Sequence, residues 1–558
     1  MEEDFMPGKT NRLTFYALSL FLLLAVVSGC VGKKEKGLQF EISFPGSIHK
    51  DSITGRVYVM ISENKNREPR FQIGPNGVPF FGKDIRNLQP DSSVIIDRKD
   101  FGYPLENISE LPPGDYYVQG FVNIYTRFER SDGHVLWMHN DQWEGQRWYR
   151  SPGNLYSDVK KVKILPSEAD SIRLVCDRKI PPLEMPPDTE WIKRIKFQSK
   201  VLTEFWGQPI YLGATVLLPK GYEEHPDVYY PVNYIQGHFS LGPPNGFQAE
   251  EPDSRNRWAS WGYEFYKFWV SDECPRMLLV TFQHPCPYYD DSYGVNSPNT
   301  GPYGDAILEE LIPMVERKFR IIQNPYARVL SGGSTGGWIS LALQIFHPDF
   351  FGGTWSLCPD PVDFRYFQCI NIYKDENAYY KKSRWVKVPT SSDRSPDGIV
   401  RLTSQQRNHM ELAMGTRCRS GEQIDIFQAV FGPLGDGGYV KPLFDKKTGE
   451  IDPDIAEYWR EHYDLRYYLE KNWERIGPAL EGKIHIYVGD MDTYYLNNAV
   501  VLLEKFLEST KNPYYSGVVQ YGDRMPHCWG PDRIELLKLF KEHIMKNAPA
   551  GEDFSWLY

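Results

Sequence analysis

Two hydrophobic periodicities divide the chain. Between residues 38 and 175 apolar side chains recur over short runs: Val57, Val59 and Ile61 alternate, and 93–97 and 116–122 are rich in β-branched and aromatic residues. Period-two alternation predicts strands, and Pro112-Pro113-Gly114-Asp115 supplies a turn before the last of these. An all-β, immunoglobulin-like sandwich is the economical expectation for 38–175. Beyond Trp191 the pattern changes. Short apolar runs at 211–218, 232–235, 277–282, 327–330, 354–357, 484–488 and 518–521 alternate with helical spacings. Those spacings are Leu308, Leu311, Val315, Phe319; Leu496, Val500, Leu503, Leu507; and Ile534, Leu537, Phe540. Such alternation predicts an α/β domain over 191–558, with a mostly parallel sheet buried on both faces. Pro313 should kink the first helix. Between the two regions Pro181, Pro182, Pro186 and Pro187 remove backbone donors, so 176–190 reads as an extended linker. Residues 365–475 are polar, Tyr-rich and partly helical, too long for an ordinary connection, and predict an insertion covering one end of the sheet.

The N-terminus changes the expected compartment. Lys9 and Arg12 precede an apolar run over 13–27, then Ser28-Gly29-Cys30 and a charged stretch from Lys33. The run is short for a membrane span and has the layout of an export signal. Val27-Ser28-Gly29-Cys30 resembles the bacterial lipobox, whose cysteine becomes lipidated. The expectation is a lipoprotein signal peptide over 1–29, Cys30 as the lipidated first residue of a tether over 30–37, and a membrane-anchored protein of the cell envelope.

The chain has 558 residues, 41% apolar and 15% aromatic, enough for packed cores and several domains. Its 63 basic and 73 acidic residues give a net charge of −10 with no basic cluster. Phosphate neutralisation needs concentrated positive charge, so no nucleic-acid partner is expected. Beyond Cys30 seven cysteines remain, at 176, 274, 286, 358, 369, 418 and 528, an odd number too sparse for a disulfide framework. No CxxC pair or Cys/His spacing suggests a metal. Asp445-Lys446-Lys447-Thr448-Gly449-Glu450-Ile451-Asp452 has the wrong ligand spacing for an EF-hand and reads as a hairpin turn. No metal or other cofactor is expected.

The chemistry concentrates after the strand at 327–330, where Ser331-Gly332-Gly333-Ser334-Thr335-Gly336-Gly337 leads into the apolar helix opening Trp338-Ile339-Ser340. This is G-x-S-x-G in a strand, turn, helix context. A sharp reversal crowds the backbone, and residues without Cβ relieve the clash while Ser334 holds strained dihedrals beside a helix N-terminus. A serine hydroxyl needs a general base oriented by a carboxylate. In the α/β-hydrolase order the acid follows a late strand and the base the last one. After 484–488 comes Gly489-Asp490-Met491-Asp492, and after 518–521 comes His527-Cys528-Trp529. Only His527 and His543 follow the last strand, and His543 falls inside the terminal helix, which leaves His527. Asp490 and Asp492 compete for the acid. The oxyanion donors of this fold are the amide after the nucleophile, here Thr335, and one from the loop Gln236-Gly237-His238-Phe239-Ser240, for which His238 N–H is the candidate. Tyr494, Tyr495 and Trp529 neighbour the acid and base. Tyr494 and Trp529 are candidates for substrate binding.

From about residue 211 onward the chain resembles the putative-esterase family of α/β-hydrolases, which includes enterochelin esterases, feruloyl esterases, S-formylglutathione hydrolases and mycolyl-transferring antigens. The resemblance is carried by 214–222 (Ala-Thr-Val-Leu-Leu-Pro-Lys-Gly-Tyr), 230–235 (Tyr-Pro-Val-Asn-Tyr-Ile), 309–313 (Glu-Glu-Leu-Ile-Pro), the elbow, and His347-Pro348-Asp349-Phe350-Phe351. It implies that the acid closes a G-x-x-D turn, which maps to Asp492. The chain departs from it at Gln236-Gly237, where relatives carry His-Gly or Asp-Gly. The implied function is serine carboxylic-ester hydrolysis through an acyl-enzyme, on esters of carbohydrates or bulky aromatic acids, with a polysaccharide-linked ester as partner. A siderophore esterase, an acyltransferase, and a non-catalytic surface-binding lipoprotein on a hydrolase scaffold are the alternatives.

Overall fold

The computed structural model describes residues 37–165, 171–253 and 257–558. The segment expected to be a signal peptide and Cys30 lie outside these residues, and no helix among the described residues is long and apolar enough to cross a membrane.

Eight strands form the sheet that carries the site, numbered here within that sheet. They are β1 Ile192–Gln198, β2 Tyr211–Leu217, β3 Val232–Gln236, β4 Leu278–Gln283, β5 Arg328–Gly333, β6 Gly353–Leu357, β7 Ile484–Gly489 and β8 Val518–Gly522. Their spatial order is β1-β2-β4-β3-β5-β6-β7-β8, with the β1–β2 and β2–β4 pairs antiparallel and every later pair parallel. This is the α/β-hydrolase order. The central strands β3, β5 and β6 are each buried at all but one position, as a sheet covered by helices on both faces requires. The edge strand β1 was not anticipated from the sequence. Lys193, Arg194 and Lys196 break its apolar pattern, and such charges protect an exposed edge from mispairing. The kink expected at Pro313 is replaced by a π-helical turn over Ala306–Leu311 that leads into helix Ile312–Lys318.

The N-terminal region holds two sheets around one core. Strands Gln39–Ser43, Ser93–Ile96 and Ser171–Val175 form one, and a larger sheet contains Ile53–Ser62, Phe80–Leu88 and Gly114–Ile124. Phe40, Ile42, Ile172 and Leu174 meet Val57, Val59, Ile61, Val118 and Val122 between them. Strand Ile53–Ser62 is buried at every position, although its alternation promised one buried face. The other face, with Tyr58 and Met60, packs on Met410, Ala413 and Met414 of a helix in the 365–475 insertion. Arg56 donates to Ala413 O at 2.9 Å, and Trp148 Nε1 to Ser420 O at 3.1 Å. The hairpin Thr126–Glu129 and Val135–Met138 buries Phe128, Leu136 and Met138 in the hydrolase core itself. The insertion is thus held between the N-terminal sheets and the hydrolase sheet.

Trp148 joins these layers, stacked on Tyr58 at 4.3 Å and edge-on to Phe121 at 5.5 Å. Trp148→Ala is expected to cost about 3–5 kcal/mol through the cavity and the lost indole donor. Denaturant unfolding of the purified variant measures this, and an unchanged midpoint would contradict the role given to that contact.

Candidate active site

The end of β5 and the helix Thr335–Phe346, here α1, are joined by one residue. Ser334 sits there at φ 59°, ψ −122°, a conformation that costs a non-glycine residue about 1–3 kcal/mol. The glycines two and three residues on cannot carry side chains. A Cβ on Gly336 would lie 2.1 Å from Gln236 O, and one on Gly337 2.5 Å from Leu357 O. Ser334 N donates to Leu357 O at 2.9 Å, which stitches the turn to the end of β6. Neither the Thr335 nor the His238 amide has an acceptor among the described residues, and Thr335 N–H is one of the unpaired donors of the α1 N-terminus.

Asp492 and His527 meet. His527 Nδ1 lies 2.7 Å from Asp492 Oδ2, and the carboxylate is fully buried. Its other oxygen accepts from Tyr494 N at 2.9 Å and Leu496 N at 3.2 Å, so the turn after β7 folds around it. Asp490 makes no such contact. Its Oδ1 is buried without a partner among the described residues, and its carbonyl accepts from Arg394 at 3.2 Å. Arg394 belongs to the insertion. It also donates to Asp492 O at 2.9 Å and lies 4.3 Å over the ring of Tyr495, which fixes the acid loop from outside the sheet. Tyr494 stands edge-on to His527 at 4.8 Å. Trp529 instead packs against Gly522 and the main apolar cluster.

In this conformation His527 Nε2 does not bond to Ser334. Its neighbour is Cys358 Sγ at 4.0 Å, and Ser334 Oγ is 3.5 Å from Asp360 Oδ1. Asp360 is buried and accepts from Tyr293 OH at 2.6 Å, Thr335 Oγ1 at 3.0 Å and Gln423 Nε2 at 3.4 Å. Burial raises its pKa, and the hydrogen bonds from Tyr293 and Thr335 offset only part of that. His527 shows the opposite balance. Burial alone would lower it, but the Asp492 carboxylate and the adjacent Cys528 outweigh burial and hold the imidazole above the usual histidine range. Contact with Cys358 and then with His527 draws the Cys528 thiol below its ordinary value, while burial pushes Cys358 well up.

His238 reaches Asp290 at 3.1 Å and Asp291 at 3.5 Å, and Tyr289 OH links it to Gln423. A cavity of about 490 Å³ opens beside it, lined by Arg147 and Tyr149 of the N-terminal region, by His238, Tyr289 and Asp290, and by Glu422 of the insertion. The walls therefore come from all three parts of the chain. Arg394, Asp360, Gln423 and Arg147 were not singled out from the sequence. Asp360 carried a usable signal, since it follows the end of a parallel strand, where sites in α/β sheets gather. Arg394, Gln423 and Arg147 carried none, because only tertiary contact brings them in.

Residues 212–415 match the family model described as putative esterase. No curated protein matches the chain. Among solved structures, similar chains are a ferulic acid esterase (16% identity, 64% of this chain and 97% of that one, TM-score 0.35), an S-formylglutathione hydrolase from Agrobacterium tumefaciens (14%, 65% and 98%, 0.35), and the fluorophosphonate-binding serine hydrolase FphF of Staphylococcus aureus (14%, 64% and 97%, 0.34). At these values no residue role passes from them to this chain.

Two outcomes follow from the geometry. A base must be neutral to accept a proton, so with His527 raised, kcat/KM should climb with pH through a limb above the ordinary histidine range. Cys528→Ser should move that limb to lower pH, because the Cys528 thiolate favours the imidazolium; an unmoved or alkaline-shifted limb would contradict this. Asp492→Asn should reduce turnover by about 10⁴-fold, as loss of the orienting carboxylate does in other triads. Asp490→Asn should cost far less, and steady-state kinetics giving the reverse ranking would exchange the two residues.

Proposed function

We propose that this chain, an esterase of the family just matched, hydrolyses carboxylic esters through an acyl-enzyme on Ser334. His527 acts as general base and Asp492 orients it. The observation that carries this reading is the 2.7 Å Asp492–His527 contact beside a serine held at φ 59° on the elbow. Substrate entry draws Nε2 from Cys358 to Ser334 Oγ, a tightening common when a resting site takes up its ligand. The proton of Ser334 passes to Nε2 as Oγ attacks the ester carbonyl. Asp492, bonded at Nδ1, stabilises the imidazolium, which then protonates the departing alcohol. Water, activated by the same imidazole, releases the acid. The Thr335 and His238 amides, both without acceptors among the described residues, are suited to hold the oxyanion.

The substrate class we propose is an ester of a carbohydrate or of a bulky aromatic acid. Its support is the cavity beside His238, where Tyr149 and Tyr289 offer aromatic faces and Arg147, Asp290 and Glu422 offer groups that bond hydroxyls. An envelope lipoprotein tethered through Cys30 is the location we propose, on the sequence of residues 13–30 alone. Ser334→Ala and His527→Ala should each lower kcat/KM on a p-nitrophenyl ester by about 10⁴-fold or more while the chain stays folded. Kinetics paired with circular dichroism check this, and substantial turnover in either folded variant would refute the assignment.

A further inference from the structure

Two cysteines converge on the imidazole nitrogen that faces away from Asp492. Cys358 follows β6 and Cys528 follows His527, and both hold positive φ, 40° and 59°. Their Sγ atoms and His527 Nε2 all lie within 4.8 Å of one another, with Cys358 Sγ at 4.0 Å from Nε2. A tetrahedral zinc ion held by two thiolates and one imidazole needs donor separations of about 3.6–3.8 Å, given its usual bond lengths. The three donors are therefore close to a coordination set. The outer arrangement also suits a metal: the second nitrogen of His527 donates to the buried Asp492 carboxylate at 2.7 Å, the partner that orients metal-binding imidazoles. Cys528 is exposed and offers a way in, whereas Cys358 is buried. Cys528 Sγ also lies 3.2 Å from where a Cβ of Gly333 would stand, which puts the trio against the elbow.

We propose that Cys358, Cys528 and His527 Nε2 form a binding site for a thiophilic divalent cation such as Zn²⁺, and that its occupation switches the esterase off. In the bound form both sulfurs are thiolates and the imidazole is neutral with its proton on Nδ1, so a divalent ion yields an uncharged three-ligand centre; whether the resting trio is thiol, thiol and imidazole or thiol, thiolate and imidazolium, two protons leave to solvent. The bound ion occupies the lone pair that would accept the Ser334 proton, and the two uses of Nε2 exclude each other. The donors escape sequence reading because Cys358 stands 169 residues from His527, far outside any Cys/His motif spacing. The inhibitory half rests on the reading of His527 as base; the binding half does not.

The test uses the reduced full chain in metal-free buffer, titrated with Co²⁺ and then Zn²⁺. Spectra and turnover of a short-chain p-nitrophenyl ester are recorded together. One Co²⁺ should bind with a thiolate-to-cobalt charge-transfer band and be displaced by Zn²⁺. Stoichiometric Zn²⁺ should reduce turnover by roughly tenfold or more, and a chelator should restore it. Cys358→Ser, and separately the exposed Cys528→Ser, should keep turnover above the pH limb while binding the ion roughly 10–100-fold more weakly. Zn²⁺ inhibition that persists unchanged in both variants, without a thiolate band, would move the ion to the His238, Asp290, Asp291 donor set and overturn the proposal. Recovery of Cys358 and Cys528 as a joined peptide from the unreduced chain would overturn it in favour of a disulfide. Should the wild-type chain show no turnover, the cobalt spectrum still decides the binding half.

Discussion

The structure depends on one close approach, that of the α1 N-terminus to the end of β3. With Gln236 O only 2.1 Å from where a Cβ of Gly336 would stand, the helix can seat there only through glycine. That contact fixes where α1 begins, and so fixes Ser334 in its strained conformation at the C-terminal edge of the sheet. It also brings Gly237, in the loop after β3, against Gly336, its N 2.9 Å from where that Cβ would stand. Every other part of the site is arranged relative to this point: Asp360 from the end of β6, Asp492 from the turn after β7, and His527 from the segment after β8.

The insertion is more than a cover. Arg394 grips the carbonyls of Asp490 and Asp492, and Gln423 joins the hydrogen bonds around Asp360. Its own rigidity comes from a buried cluster in which Lys446 pairs with Glu411 at 2.5 Å and Asp425 at 2.6 Å. Glu411 also accepts from Ile424 N and Asp425 N, capping the helix that presents Gln423. Two carboxylates around one ammonium would be costly to leave unpaired at such burial, so removing one member costs more than the cluster contributes. The N-terminal sheets hold this insertion from the other side through Tyr58, Arg56 and Trp148. Stability of the remote sheets is thereby coupled to the placement of Gln423 and Arg394 beside the reacting groups.

The hydrolase sheet was largely legible in the sequence because its inner strands are short apolar runs, and seven of the eight were marked to within a residue or two of their starts. β1 escaped because an edge strand with Lys193, Arg194 and Lys196 lacks that signature. The elbow was legible because its glycines and serine are consecutive, and the positions of Asp492 and His527 because each follows a recognisable strand. The choice between Asp490 and Asp492 was not, since both sit on one turn and only the fold decides which faces His527. The same limit hid Arg394, Asp360 and the Cys358–Cys528 approach. These are meetings of distant segments, and no local pattern encodes them. Strand Ile53–Ser62 makes the point in reverse: its alternation was real, but a helix some 350 residues away covers the face that alternation assigns to solvent.

The proposed chemistry turns on His527 activating Ser334 for covalent attack. Labelling the full chain with a fluorophosphonate, with mass-spectrometric mapping of the modified residue and His527→Ala as control, tests it most directly. A single adduct on Ser334 that disappears in the control is the expected result. An adduct on another residue, or labelling of Ser334 that survives His527→Ala undiminished, would contradict it.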